Sequence, residues 1–396
     1  MNRKSNPIQT IVTDGLWRKS ISVIRSLGKA GCEVSVMGDS LFTTGFWSKY
    51  TSKRVLAPTA EHNPDAFGQK LMDLLTQYDG NPKPVLFPME DATLMWVVHN
   101  YDEVVKYAKV LLPTNKSLEV AEDKAATITL AKNLDLPVPQ TWEPSNVDEL
   151  EKIISEIRCS EFVIKPRTGS GSVGIVYARP GDKLAYRSHW EKYGPLIIQE
   201  RISAKGRGIG ISLLMDQDGD CVAYFGHERI RQYPVSGGPS TDRKSIFAPH
   251  LVDLSIKLLT ALSWRGVAMV EWKEDPTDGT PKLMEINPRF WGSLELAVRS
   301  GVDFPYLYTQ AVLGQASKTP PSYEEGVRCR WLIPGDILRY LSEEKQNREE
   351  VMSFIRGLPS EAEEWDKEDI RGSLACGICP ALLALNPYYW KYLKRT

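Results

Sequence analysis

The first hundred residues alternate short β-rich runs with helical ones, and that order restricts the fold more than any other property of the chain. Residues 8–13 are a β-rich run ending at Asp14-Gly15. Residues 18–29 carry Ile21, Ile24 and Leu27 at helical spacing, and 33–37 form a second strand closed by Gly38-Asp39. Strands at 54–56 and 85–87, a helix at 66–75 and a mostly helical stretch at 91–107 continue the series. Such an order predicts a parallel sheet with helices on its faces. Ligands meet such sheets at the carboxyl ends of the strands. Asp14-Gly15 and Pro88-Met89-Glu90-Asp91 fall at two such ends, where simple turns and helix caps would look the same.

A long helical pattern over 117–135 is stopped by Pro137 and Pro139. A compact α+β region follows, with strands at 162–164, 175–178 and 196–199. A third region starts near Gly206, with strands at 209–215, 221–227, 266–272 and 282–286 and helices at 250–262, 291–300 and 305–313. Residues 341–370 are rich in acid (Glu343, Glu344, Glu349, Glu350, Glu361, Glu363, Glu364) and read as a solvated helical face.

Composition narrows the function. Lys and Arg number 49 against 50 Asp and Glu, a net charge of −1, so no basic excess points to nucleic acid. No apolar run approaches the ~18 residues of a membrane span. The start of the chain has no signal-peptide core. A cytoplasmic protein without nucleic-acid or membrane partners is therefore expected. Six scattered cysteines read as reduced thiols, and the lone Cys376-Gly377-Ile378-Cys379 lacks the second pair of a zinc site. The five histidines show no paired metal spacing.

Two constellations carry chemistry. Gly169-Ser170-Gly171-Ser172-Val173-Gly174 is flanked by β-rich runs on both sides, so it joins two strands and is not a dinucleotide turn. Its backbone N–H groups can fold over phosphates, with Lys165 at the entrance as a point charge. In the second, Glu285 and Asn287 share one strand face, and a hairpin centred on Asp278 sets Glu271 directly opposite Glu285. Like charges opposed on one face are destabilising unless a cation lies between them. Two carboxylates and an amide oxygen suit Mg2+, with Mn2+ as the alternative ion. Arg289 follows two residues on and suits a phosphate or carboxylate.

In order, the lysine helix with Ala121-Glu122-Asp123-Lys124, Phe162-Val163-Ile164-Lys165-Pro166, the glycine loop, Gln199-Glu200-Arg201-Ile202 and Glu285-Ile286-Asn287-Pro288-Arg289 resemble the ATP-grasp superfamily. They are most similar to its carboxylate–amine ligases and to the synthetase halves of the carbamoyl phosphate synthase large subunit. The resemblance implies an α/β and α+β architecture: a Rossmann-like pre-ATP-grasp domain (1–115), central (116–205) and C-terminal (206–316) ATP-grasp subdomains, and an extension at 317–396 of open role. It implies that Lys124 and Lys165 hold the phosphates of ATP, that Ser170, Gly171, Ser172 and Gly174 close over them, and that Gln199, Glu200, Arg201 and Ile202 receive adenine. It further implies Glu271, Glu285 and Asn287 as magnesium ligands, with Arg289 and Lys165 catalytic at the transferred phosphoryl group. The family commonly has a carboxylate shortly after the hinge, for the ribose. Here Lys205-Gly206-Arg207-Gly208-Ile209-Gly210 has none, and Glu200 is the nearest substitute.

The expected reaction joins a small carboxylate to an amine through an acyl phosphate, in an enzyme that is often a homodimer. Carbamoyl-phosphate-type synthesis from carbonate and a non-catalytic ATP-binding module are the alternatives. A dehydrogenase is disfavoured because Thr13-Asp14-Gly15-Leu16 lacks the glycine fingerprint. His227, Arg229 and Arg231 alternate on one strand face, all expected positive, ahead of a loop containing Ser236, Gly237 and Gly238. They are the candidate substrate contacts. Trp291, two residues past Arg289, is a candidate wall of the site.

Overall fold

In the computed structural model, residues 7–78, 82–169, 173–182, 186–235, 237–342, 352, 354–355 and 358–385 are described. Strands β1 (Gln9–Val12), β2 (Glu33–Gly38), β3 (Thr51–Leu56) and β4 (Val85–Phe87) form a parallel sheet in the order β3-β2-β1-β4. Helices α1 (Arg18–Lys29), α2 (Pro64–Leu75), α3 (Asp91–His99) and α4 (Tyr101–Tyr107) accompany it. The start of α2 is fixed locally: Asn63 Oδ1 accepts from Ala66 N at 3.0 Å, and Pro64 occupies the first turn, where no N–H is needed.

The stretch expected as one helix over 117–135 is two, α5 (Asn115–Glu122) and α6 (Lys124–Asn133). Asp123 breaks it. Its backbone is extended, and its side chain caps α6 by accepting from Ala125 N and Ala126 N.

An antiparallel sheet follows, in the order β5-β8-β6-β7. It comprises β5 (Thr141–Trp142), β6 (Phe162–Pro166), β7 (Val176–Ala178) and β8 (Leu196–Glu200), with α7 (Val147–Glu156) and α8 (Tyr186–Tyr193) against it. The third sheet has six antiparallel strands: β9 (Gly208–Met215), β10 (Cys221–Gln232), β11 (Ser240–Ser245), β12 (Gly266–Glu274), β13 (Pro281–Asn287) and β14 (Arg328–Arg330), ordered β13-β12-β9-β10-β11-β14. Helices α9 (Pro249–Ala261), α10 (Leu294–Arg299) and α11 (Phe304–Val312) complete this part.

One apolar core joins the first sheet to the third. Val12, Val34, Val36 and Phe87 pack with Phe290, Trp291, Leu294, Phe304 and Tyr308. The Tyr308 hydroxyl seals the seam, accepting from Leu111 N at 3.0 Å and lying 3.3 Å from Leu86 O. This packing brings the segment after β13 to the carboxyl edge of the parallel sheet. It also answers the expectation for Trp291. Its ring is buried, with Phe290 and Phe304 at 6.2 and 4.9 Å between centroids, so it builds the core and not the wall of a cleft.

The tail is docked. Beyond α12 (Ile337–Leu341), helix α13 (Ile370–Ala384) lies near the turn at Thr44–Trp47. Asp369, fully buried, accepts from Arg25 Nε at 3.0 Å, Ser48 Oγ at 2.8 Å and Lys49 N at 2.9 Å. The solvated acidic face expected here is not found at Glu363 and Glu364. Both are buried: Glu363 pairs with Arg18 at 2.9 Å and also with Arg243, and Glu364 accepts from Ile333 N at 2.8 Å. Charge density marked these residues as exposed, whereas Arg18 and Arg243 hold Glu363 inside and the Ile333 N–H holds Glu364. Glu343, Glu344, Glu349 and Glu350 lie outside the described residues. Cys376 and Cys379 are free and buried on α13.

Candidate active site

The β12–β13 turn is fixed by Asp275 N donating to Thr280 O at 2.8 Å and by Gly279, whose positive φ of 72° suits glycine. Its register pairs Glu271 directly with Glu285. Asn287, also on that face, donates from Nδ2 to Glu271 Oε1 at 3.2 Å and Glu285 Oε1 at 3.4 Å. Burial, reinforced by the Glu285 charge, pushes the Glu271 carboxyl up, although Arg229 opposes the shift. A half-buried carboxylate pair carrying an amide is a donor set that fits a hard divalent cation.

Arg229 reaches Glu271 from β10, two strands away, and forms an ion pair with it. The intervening strand β9 presents Gly208 and Gly210 at this level, opposite Arg229 and His227. A Cβ on Gly210 would stand 2.3 Å from His227 Cε1. The missing side chains open the sheet face over which Arg229 extends.

Lys165 projects from β6 and is buried. Burial lowers its ammonium to about 8, assisted by Lys124 and opposed by Glu285. Thus the two motifs, on separate sheets, come near enough for the Glu285 charge to act on Lys165. Lys124 opens α6, and its Nζ donates to Gly169 O at 2.6 Å. Arg167 clamps the helix break, donating from Nε to Asp123 Oδ1 at 3.1 Å. The glycine loop does join two antiparallel strands, β6 and β7. Gly169 and Gly174 have φ of 105° and 72°. Ser170, Gly171 and Ser172 lie outside the described residues.

The hinge is tightly bonded. Gln199 Nε2 donates to Thr141 Oγ1 at 2.9 Å, and Glu200 Oε1 accepts from Gln140 N at 2.8 Å. The N–H groups of Glu200 and Arg201 are engaged by Gln140 O and Glu161 O. Arg201 pairs with Glu161 at 2.8 Å and lies over the Tyr177 ring, and Ile202 is buried. A base bound here would meet atoms other than those two N–H groups.

On the substrate side the three expected cations separate. His227 is buried, and burial together with Arg229 and Arg243 lowers its imidazole to about 3, so it is neutral. Its Nε2 lies 3.2 Å from Ser293 Oγ. Arg229 faces the carboxylate pair. Arg231 pairs with Asp336 at 2.7 Å and Asp242 at 2.9 Å, which ties β10 to the tail. A break in register between Arg229 and Arg231 interrupts the expected alternation. Gly237 has φ 147°, and a Cβ on Gly238 would stand 2.2 Å from Tyr233 O, so the loop folds back on itself. Ser236 lies outside the described residues.

Sequence reasoning missed the partner of Arg289. Its Nε donates to Asp91 Oδ1 at 2.6 Å, from the segment after β4. Burial works against the Arg289 charge, but Asp91, Glu90 and Glu285 hold its pKa above the ordinary guanidinium value. Beside it, Lys19 pairs with Glu90 at 2.7 Å and donates to Phe290 O at 3.1 Å. The position of residues 88–91 at a strand's carboxyl end was the only signal, and it did not name Arg289.

Residues 220–333 match the family model described as "ATP-grasp in the biosynthetic pathway with Ter operon". Similar solved structures share the fold over most of the chain. The biotin carboxylase domain of 2-oxoglutarate carboxylase from Hydrogenobacter thermophilus, in complex with MgADP, ADP and bicarbonate, has TM-score 0.66 and 16% identity, covering 82% of this chain and 74% of that one. N5-carboxyaminoimidazole synthetase from Staphylococcus aureus has TM-score 0.60 and 13% identity, covering 80% of each. L-amino acid ligase from Bacillus licheniformis has TM-score 0.58 and 16% identity, covering 78% and 75%. The chain has the ATP-grasp fold with a preceding α/β domain.

Proposed function

We propose that this protein is a Mg-ATP-dependent ligase that activates a carboxylate as an acyl phosphate for attack by an amine. The observation that carries the reading is the half-buried opposition of Glu271 and Glu285, bridged by Asn287 and faced by Lys165. Glu271, Glu285 and Asn287 would hold Mg2+, which when bound neutralises phosphate charge. Lys165 and Lys124 hold the nucleotide phosphates, and the loop at 169–174 covers them. Arg289, kept charged by Asp91, faces the transferred phosphoryl group. A carboxylate oxygen attacks the γ-phosphorus, and the bond to ADP breaks. The amine nitrogen then attacks the acyl carbon, phosphate leaves, and the amine gives up a proton. The chain's contribution is positioning and fixed positive charge. The L-amino acid ligase among the similar structures supports this reaction class. The dimer of the biotin carboxylase domain supports a homodimer, and a cytoplasmic site suits the use of ATP.

The test is ADP release by purified protein with Mg-ATP against pooled amino acids and small carboxylates, with a separate bicarbonate arm and Glu285→Ala as control. Stimulation by a carboxylate pool, lost in the variant, is the expected result. Stimulation by bicarbonate alone, the anion bound in the biotin carboxylase complex, would redirect the reading to carbonate activation. ATP binding without stimulated turnover in any arm would count for the non-catalytic module.

A further inference from the structure

The register that opposes Glu271 to Glu285 has a counterpart of opposite sign across β9. Arg229 of β10 stands directly opposite Arg243 of β11. Both lie on the face of the carboxylate pair, which Gly210, opposite Glu271 and His227, carries across β9. Like charges opposed in this way are destabilising without a counter-charge. Arg243 is fully buried. It donates from Nη1 to Ser240 O at 2.9 Å and pairs with Glu363, while its Nε has no hydrogen-bond partner among the described residues. A third guanidinium enters from α1. Arg18 donates from Nη1 to Glu363 Oε1 at 2.9 Å and lies over the Trp331 ring, 4.3 Å from its centroid. It passes Gly292, where a Cβ would stand 2.4 Å from Arg18 Nη2 and push the fork aside. Burial lowers Arg18 to about 10, and the Arg229 charge adds to the shift although Glu364 opposes it. Burial lowers Arg243 to about 10 as well, assisted by Arg18. The three cations therefore act on one another.

One carboxylate, Glu363, serves both Arg18 and Arg243. Glu364 acts on the same two, but burial pushes its carboxyl up, toward the neutral form. Glu271 serves Arg229. On the ligase reading above, on which this inference rests, Mg2+ draws Glu271 away when it binds. Positive charge is then in excess here, and Arg229 and Arg18 offer it to a ligand with side chains 25 and 20% exposed. Partly desolvated cations call for a counter-charge, and the guanidinium fork suits a carboxylate or a phosphate. One carboxylate does not span both sites. Strands β12 and β10 are two strand spacings apart, about 10 Å at the backbone, and Arg229 leans over part of that gap. We propose that the substrate bears a second anionic group besides the carboxylate to be activated, and that Arg229 and Arg18 receive it with Arg243 behind them. Trp331 and Glu363 position Arg18, which gives the tail a part in substrate selection. The substrate class is a dicarboxylate or a carboxylic acid bearing a phosphate.

The test is titration calorimetry of the full chain, loaded with Mg-ADP, using glutarate against butyrate and 3-phosphoglycerate against glycerate. At least one of the more highly charged probes should bind at least tenfold more tightly than its monoanion. The pair that does so identifies the second group as carboxylate or phosphate. Arg18→Lys keeps the charge but loses the fork, and Gly292→Ala displaces the fork. Each should bring the preference down to about twofold or less. A cooperative thermal transition shows that each variant is folded. No preference in the wild type, or one that survives in either folded variant, overturns the proposal. ADP release with Mg-ATP and the same four probes separates this inference from the ligase reading. A preference in binding with no stimulated release in any arm would count against the ligase and leave the anion site standing. Release stimulated by butyrate as strongly as by glutarate, with no preference in binding, would leave the ligase and remove the anion site.

Discussion

Glu271 and Glu285 face each other directly across the β12–β13 pair, and Lys165 approaches them from a different sheet. Two opposed, half-buried carboxylates are an arrangement a fold tolerates when a cation completes it.

Lys165 should make nucleotide binding sensitive to alkaline pH. Its ammonium is lowered by burial to about 8 from an ordinary 10.5. Phosphate requires the charged form, so ADP affinity should fall by up to about tenfold per pH unit above 8. Folding runs the other way. Between about 8 and 10.5 the unfolded chain binds more protons at this site, so stability gains from Lys165 as pH rises through that window. Titration calorimetry from pH 7 to 10 checks the first statement. Lys165→Arg, which does not lose its proton in this range, should flatten the profile.

Gly210→Ala should disturb the site from behind. Its Cβ would press on His227 Cε1 at 2.3 Å, and His227 is a rigid, buried ring held near Ser293. The expected cost is about 1–3 kcal/mol in denaturant unfolding, the usual range for overpacking. Weaker Mg-dependent ADP binding should accompany it, because Arg229 extends over the same strand. A variant of unchanged stability and affinity would show that the glycine opening is incidental.

Arg25→Ala should release the tail. The guanidinium bonds Asp369 and the carbonyls of Glu363 and Glu364, at 3.0, 3.3 and 3.1 Å, so its removal strands the buried Asp369 carboxylate. The expected loss is about 3–5 kcal/mol. Limited proteolysis should then cut near residues 358–370 in the variant before it cuts the wild type.

What could be read in the sequence was local. The Glu271–Glu285 register followed from a short turn at Asp275–Gly279, because hairpin geometry is decided within a few residues. The helix over 18–29 was placed at its observed ends by its own periodicity and by Gly31, which stops it with a φ of 81°. Asp123 was misread because a capping aspartate in a helical pattern looks like a surface position until Arg167, 44 residues away, fixes it. The Arg289–Asp91 pair spans 198 residues, and no local pattern encodes such a distance. The same reason hid the burial of Glu363, whose acidic neighbourhood implied solvent while Arg18 and Arg243 waited in other elements.

The central claim is that Glu271, Glu285 and Asn287 bind a divalent cation that carries the nucleotide. Titration calorimetry of ADP with and without Mg2+, on wild type and Glu285→Gln, tests it without knowledge of the substrate. The account predicts at least tenfold tighter ADP binding with Mg2+ in the wild type and no such gain in the variant. Equal affinity with and without Mg2+ in the wild type, or a gain that survives Glu285→Gln, would contradict it.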